Sequence, residues 1–338
     1  MSQSPTIGVL GAGAWGTALA QMLASDGRAV LLWARKPELA DAINATRRNE
    51  AYLPNAELSP HIRATGDLDD VADCGLLLAV TPAQAMASVL QRVPDVPRDL
   101  VLCSKGIEQA SGRMMHEVAR DCLPASALAV LSGPTFAHEV AAGLPTAVTL
   151  ACSGGAAQWE RLSRAIARPA FRPYYSDDVA GAEVAGALKN VLAIASGLIE
   201  GMGLGQNARA AMIARGYAEM LRFGEALGAQ AETLTGLCGL GDLVLTCTSP
   251  ASRNYSLGLA LGRGEAAADL LALPSTLAEG AHTAPVLAQI AEQRGLQMPI
   301  VTAVRNLLAG AQPGAIVEQL LARPLRREAG SLIDRLPQ

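Results

Sequence analysis

The residues best suited to chemistry in this chain are its scarcest cations. Of 27 lysines and arginines only three are lysines: Lys36, Lys105 and Lys189. Burial can lower a lysine's pKa into the range of proton transfer, whereas arginine stays charged. Lys189 interrupts the small-residue run from Glu183 to Gly197, which predicts one helix, and Asn190 follows it. That placement makes Lys189 a candidate proton donor and acceptor. The structural alternative is a lysine whose stem lies along a helix edge with its head in water. Two further stretches carry suitable groups. Asp242 follows three glycines in 236–241, which lets backbone approach it closely. Ser252-Arg253-Asn254 follows Pro250 and opens a predicted helix. A hydroxyl, a guanidinium, an amide and free helix N–H groups together make a phosphate holder, or else an ordinary capped helix start with a surface arginine.

The elements before Lys189 alternate short apolar strands with helices. The first strand, Thr6–Leu10, leads into Gly11-Ala12-Gly13-Ala14-Trp15-Gly16, then a helix, then a second strand, Ala29–Trp33. In this strand–helix–strand setting Gly11 makes the tight turn, Gly13 lets backbone approach a pyrophosphate, and Gly16 lets the helix pack on the sheet. The helix N-terminus favours the anion. The second strand ends in Arg35-Lys36 rather than an acidic residue. Two cations there favour the 2′-phosphate of NADP, and the alternative is a basic turn before Pro37. Further strands are predicted at Ile62–Ala64, Gly75–Val80, Leu100–Cys103, Ala127–Leu131, Thr146–Ala151 and Phe171–Tyr175, with helices near 37–49, 82–92 and 109–123. Such a pattern implies a doubly wound, mainly parallel Rossmann sheet with its ligands beyond the carboxyl ends of the strands. Lys105 and the Ser132–Ala137 loop fall at those ends.

From Asp177 onward the spacing is helical, near 178–200, 207–227, 252–262, 281–294, 299–309 and 315–322; Leu243–Leu245 is the one stretch read as a possible strand. The expected division is therefore a dinucleotide-binding domain over 1–180 and an all-helical substrate and catalytic domain over 181–338. Glu279, before the 281–294 helix, could cap it or reach the cofactor. His138 is expected to face solvent or the domain seam, and no partner is evident for His61, His116 or His282.

Composition narrows the class. The chain has 338 residues, half of them hydrophobic, and a net charge of −4 with no basic block, which argues against nucleic acid as a partner. No charge-free run of about 18 apolar residues indicates a membrane span. The N-terminal residues lack the charged and apolar regions of a signal peptide. Six scattered cysteines and four histidines that do not cluster with them suggest a reduced, cytoplasmic protein without a metal site. Small-residue helices could bury a homodimer interface or only the domain seam.

With Gly11–Gly16, Lys105-Gly106, Ser132–Ala137, Lys189-Asn190, Gly239–Asp242 and Ser252–Asn254 in this order, the chain resembles the bacterial NAD(P)-dependent glycerol-3-phosphate dehydrogenases over nearly its full length. The resemblance implies a Rossmann domain, a helical domain and an active site between them. It implies interconversion of dihydroxyacetone phosphate and sn-glycerol 3-phosphate with NADP(H) or NAD(H). By position, Lys189 is similar to the catalytic proton donor and acceptor. Lys105, Gly133, Thr135, Asn190, Asp242, Ser252, Arg253 and Asn254 resemble the substrate site. Gly11, Gly13, Ala14, Trp15, Gly16, Arg35, Lys36, Tyr52, Lys105, Ala137, Arg253, Leu277 and Glu279 resemble the cofactor site. Ala14 stands where the family often has serine, and Leu277 where valine is common. Burial and Lys105 would lower the pKa of Lys189, and Asp242 would oppose them. A β-hydroxyacid or sugar-phosphate dehydrogenase shares the general plan but not the Gly239–Asp242 and Ser252–Asn254 stretches. A non-catalytic NADP sensor would not need Lys189.

Overall fold

The computed structural model describes residues 6–272 and 278–324. Its first part is an eight-stranded sheet in the order β3-β2-β1-β4-β5-β6-β7-β8. The strands are β1 (Ile7–Leu10), β2 (Val30–Trp33), β3 (Ile62–Thr65), β4 (Leu76–Ala79), β5 (Asp99–Leu102), β6 (Ala127–Ser132), β7 (Thr146–Cys152) and β8 (Phe171–Ser176). β1 and β4 are buried at every residue. That is why they read as unbroken apolar runs: helices cover both faces of a parallel sheet. The first six strands are parallel. β7 reverses against β6, with Ser132 opposite Thr149, and β8 runs parallel to β7.

The helices between the strands are α1 (Ala14–Leu23), α2 (Pro37–Thr46), α3 (Met86–Leu90), α4 (Met115–Cys122), α5 (Ala137–Ala141) and α6 (Gly155–Ile166). α2 ends at Thr46, earlier than predicted, because Arg47 turns left-handed with φ 57°. The helix expected from 109 begins only at Met115, since residues 107–114 close a turn through an Ile107–Met114 bridge. α6 was not among the predicted helices.

The second part is helical: α7 (Val179–Gly201), α8 (Gly205–Ala226), α9 (Ala231–Thr235), α10 (Asp242–Cys247), α11 (Arg253–Gly262), α12 (Ala267–Ala272), α13 (Glu279–Gln293), α14 (Pro299–Leu308) and α15 (Pro313–Leu321). α7 is its axle, with α8, α10, α11, α13 and α14 packed on it. By length and composition α7 could cross a membrane, with a mean hydropathy of 1.4 over an 18-residue window, but 94% of that window is buried inside the protein. Its small residues have two uses. A Cβ on Gly186 would meet Lys105 Cγ at 3.2 Å, on the side of the sheet. A Cβ on Gly197 would lie 2.0 Å from Tyr255 O, so α7 and α11 touch backbone to backbone.

The expected strand at Leu243–Leu245 is instead part of α10. Three apolar residues cannot distinguish strand from helix. Here a π-helical turn at Leu237–Gly241 feeds straight into α10, which buries Asp242, Leu243, Thr246 and Cys247.

Candidate active site

Lys189 lies near the middle of α7, with its side chain 7% exposed. Its Nζ donates to Asp242 Oδ1 at 2.5 Å and to Thr246 Oγ1 at 2.9 Å. Asp242 begins α10 and is fully buried. Its other oxygen, Oδ2, accepts from Lys105 Nζ at 2.7 Å. Lys105 sits in the loop after β5 and also donates to Gly133 O, just beyond β6, at 3.1 Å. One carboxylate therefore holds two ammonium groups at the carboxyl ends of the strands. Burial pushes Lys189 down to about 8; Asp242 opposes this, and Lys105 adds to it. A cation poised near neutral pH and fixed by two acceptors can give or take a proton.

Amides brace this cluster. Asn190 Nδ2 donates to Lys105 O at 3.4 Å and Gly186 O at 3.3 Å, and its Oδ1 accepts from Asn254 Nδ2 at 3.0 Å. Asn254 Oδ1 accepts from Gly280 N at 2.9 Å. Both amide hydrogens of Asn190 are thus committed to the scaffold, whereas one of Asn254 is left over among the described residues. Ser252 is the N-cap of α11 and accepts from Tyr255 N at 3.3 Å. Arg253, the first residue of α11, is exposed. Thr135 is half-buried and donates to Gly133 O at 3.3 Å.

The glycine loop lies between β1 and α1. Gly11 has φ 118°, a conformation that favours glycine, and a Cβ on Gly16 would lie 1.8 Å from Gly11 O. A Cβ on Gly13 would meet nothing within 4 Å among the described residues, which leaves its backbone approachable. Ala14 and Trp15 open α1, and Trp15 Nε1 is buried without a partner among the described residues. Arg35 and Lys36 are exposed just beyond β2, Tyr52 is exposed in the loop after α2, and Ala137 begins α5. Glu279, the first residue of α13, accepts from Ala83 N at 3.3 Å through Oε1, while Oε2 is buried without a partner among the described residues. Burial holds its carboxyl above the usual range, against the Ala83 hydrogen bond. Approachable backbone at a helix N-terminus, two cations beyond β2 and unpartnered polar atoms on Trp15 and Glu279 fit a dinucleotide phosphate and its flanking groups. Leu277 lies outside the described residues.

Thr246 joins the cluster but was not among the expected site residues. His116 has a partner that the sequence did not disclose: its Nδ1 lies 2.6 Å from Glu183 Oε2 and its N donates to Glu183 Oε1 at 2.8 Å. His138 faces solvent, stacked on Phe136.

Residues 6–157 match the model of the NAD-dependent glycerol-3-phosphate dehydrogenase N-terminus, and 178–318 that of the C-terminus. A glycerol-3-phosphate dehydrogenase [NAD(P)+] of Erythrobacter litoralis is 68% identical over 95% of this chain and 97% of its own length. That of Novosphingobium aromaticivorans is 65% identical over 95% and 98%. The crystal structure of glycerol-3-phosphate dehydrogenase from Coxiella burnetii superposes with a TM-score of 0.89 at 39% identity, covering 94% of this chain and 99% of that one.

Proposed function

The chain belongs to the NAD-dependent glycerol-3-phosphate dehydrogenase family, and from that premise we propose how its own residues interconvert dihydroxyacetone phosphate and sn-glycerol 3-phosphate, the backbone for phospholipid synthesis. The observation that carries the reading is the buried Lys189–Asp242–Lys105 cluster at the strand ends. When bound, NADPH or NADH supplies the hydride to the carbonyl carbon. Lys189, as the ammonium, stabilises the charge growing on the carbonyl oxygen and transfers its proton there. In the reverse direction the neutral amine takes the proton from the substrate hydroxyl. Asp242 and Thr246 hold Nζ in place, and Lys105 adds positive potential. Arg253, the spare Asn254 hydrogen and the first-turn N–H groups of α11 hold the substrate phosphate. The glycine loop with Trp15 holds the dinucleotide, with Arg35 and Lys36 at its 2′-position and Glu279 at the domain seam. We divide the chain near residue 180 into a cofactor domain and a catalytic domain and place the reaction in the cytoplasm, in keeping with six unpaired cysteines.

Oxidation of NADPH and of NADH is assayed with dihydroxyacetone phosphate and with a panel of oxo acids. Turnover is expected with dihydroxyacetone phosphate alone, and faster turnover of an oxo acid overturns the substrate. Lys189→Met is expected to keep cofactor affinity while losing at least about 10²-fold in kcat, the scale of a general acid. Normal turnover by that variant overturns the role of Lys189.

A further inference from the structure

Asn49 is fully buried just past the end of α2 and belongs to none of the groups assigned above. Its Nδ2 spends both hydrogens on the glycine loop and α1: one on Ala12 O at 2.9 Å, the other on Thr17 Oγ1 at 2.8 Å. The amide's orientation follows from chemistry, since only the NH₂ end can donate to a carbonyl. Its main-chain oxygen accepts from Tyr52 N at 3.2 Å and Leu53 N at 2.8 Å. One residue thus fastens the glycine loop, the start of α1 and the turn that presents Tyr52.

The bond to Ala12 O has a directional consequence. In a planar trans peptide the C=O and N–H point in opposite directions. Asn49 holds the oxygen of the Ala12–Gly13 unit, so the Gly13 N–H is turned away from Asn49. Gly13 is also the residue of this loop at which an added Cβ would meet nothing within 4 Å among the described residues. Left unheld, the Ala12–Gly13 peptide unit could rotate, with glycine's freedom at Gly13 φ, and that rotation would bring its oxygen toward an arriving anion.

We propose that Asn49 is a positioning residue for the dinucleotide pyrophosphate: by holding Ala12 O it fixes the Gly13 N–H as a donor to the phosphates, independently of the nucleotide's 2′-substituent. This rests on the reading of Gly11–Gly16 as the dinucleotide site. The local geometry separates it from Arg35 and Lys36, which lie beyond β2 and would meet only a 2′-phosphate.

The test is titration calorimetry of the full chain with NADPH, NADH, ADP-ribose and adenosine 2′-monophosphate, for wild type and Asn49→Ala. The variant is expected to raise Kd by about tenfold (~1.4 kcal/mol) for the three pyrophosphate-bearing ligands equally, leave adenosine 2′-monophosphate unchanged, and keep KM for dihydroxyacetone phosphate at saturating NADPH within about twofold. Three results overturn the assignment: unchanged affinity for NADPH and NADH, a loss confined to NADPH, or an equal loss for adenosine 2′-monophosphate. Should Asn49→Ala not fold, Asn49→Ser carries the same expectations with a smaller change of volume and polarity. Failure of the wild type to bind NADPH would instead overturn the dinucleotide site itself.

Discussion

Lys189 is where burial and charge meet. In the role proposed for Lys189, its pKa, lowered to about 8 by burial and by Lys105, is expected to set the pH dependence of both directions. Ketone reduction needs the ammonium, so kcat/KM for dihydroxyacetone phosphate should hold below pH about 8 and fall above it. Oxidation of glycerol 3-phosphate needs the neutral amine and should rise through the same pH. Steady-state profiles in both directions check this; parallel profiles of like slope would contradict it. Arg35 makes a separate prediction. Replacing it with Glu sets a negative charge against a 2′-phosphate, so KM for NADPH should rise by about tenfold or more while that for NADH moves little, on the scale of one charge-assisted hydrogen bond. Equal changes for the two cofactors would remove Arg35 from the 2′-position. Lys105, Lys189 and Asp242 were legible because they break a pattern: two of three lysines sit at apolar element ends or interiors, and the aspartate follows glycines. Thr246 was not legible. With Leu243–Leu245 read as a strand, Thr246 would stand about 13 Å along from Asp242. In α10 it is one turn away and reaches the same Nζ. Asn49 carried no sequence signal, since an asparagine after a helix usually means only a turn.

Among the elements, α7 and α11 depend on glycine at their crossing. A Cβ on Gly258 would lie 2.0 Å from Ile194 O, and one on Gly262 would lie 2.5 Å from Leu198 O. Backbone cannot yield as a side-chain tip can. Gly258→Ala is therefore expected to destabilise by about 1–3 kcal/mol or more through overpacking. Gly314, the second residue of α15, has nothing within 4 Å of its Cβ position among the described residues. Gly314→Ala should be neutral or stabilising by about 0.5–1 kcal/mol, since alanine is the better helix former. Urea midpoints of the two variants check the contrast, and a larger loss for Gly314→Ala would refute it. α7, α8, α11, α13, α14 and α15 were readable from spacing, whereas the short α9, α10 and α12 were not. Their contacts were not, because a small residue looks the same whether it faces the sheet, as Gly186 does, or another helix, as Gly197 does.

For the molecule as a whole, the strand–helix alternation and its change to helices after Asp177 were readable, but the reversal of β7 was not. A continuous apolar strand has no sequence mark of direction, and β7 is buried from Val148 to Cys152. Nor did the sequence show what ties the sheet side to the axle. α4 packs near β6, and at its first turn His116 meets Glu183, which stands on α7 six positions before Lys189. The hydrogen bond to Glu183 raises the His116 pKa above 6.5, with burial and Arg120 opposing and Glu117 assisting. Burial likewise raises Glu183 above 4.5, against its bonds to His116. A histidine whose folded pKa is raised contributes stability that is fully present below its unfolded value and is lost as pH rises through the folded value. The raised Glu183 works in the same sense, since stability falls as pH climbs from 4.5 through its folded value. His116→Gln keeps the backbone N–H to Glu183 but no longer titrates. Wild type should therefore exceed the variant by about 1 kcal/mol near pH 6, the scale of a charge-assisted hydrogen bond that is partly screened, and the difference should shrink as pH rises through the His116 pKa. Urea midpoints of the two proteins at a series of pH values measure it. A difference that stays constant with pH would mean that His116 serves α4 through packing alone and that the tie between α4 and α7 carries no charge.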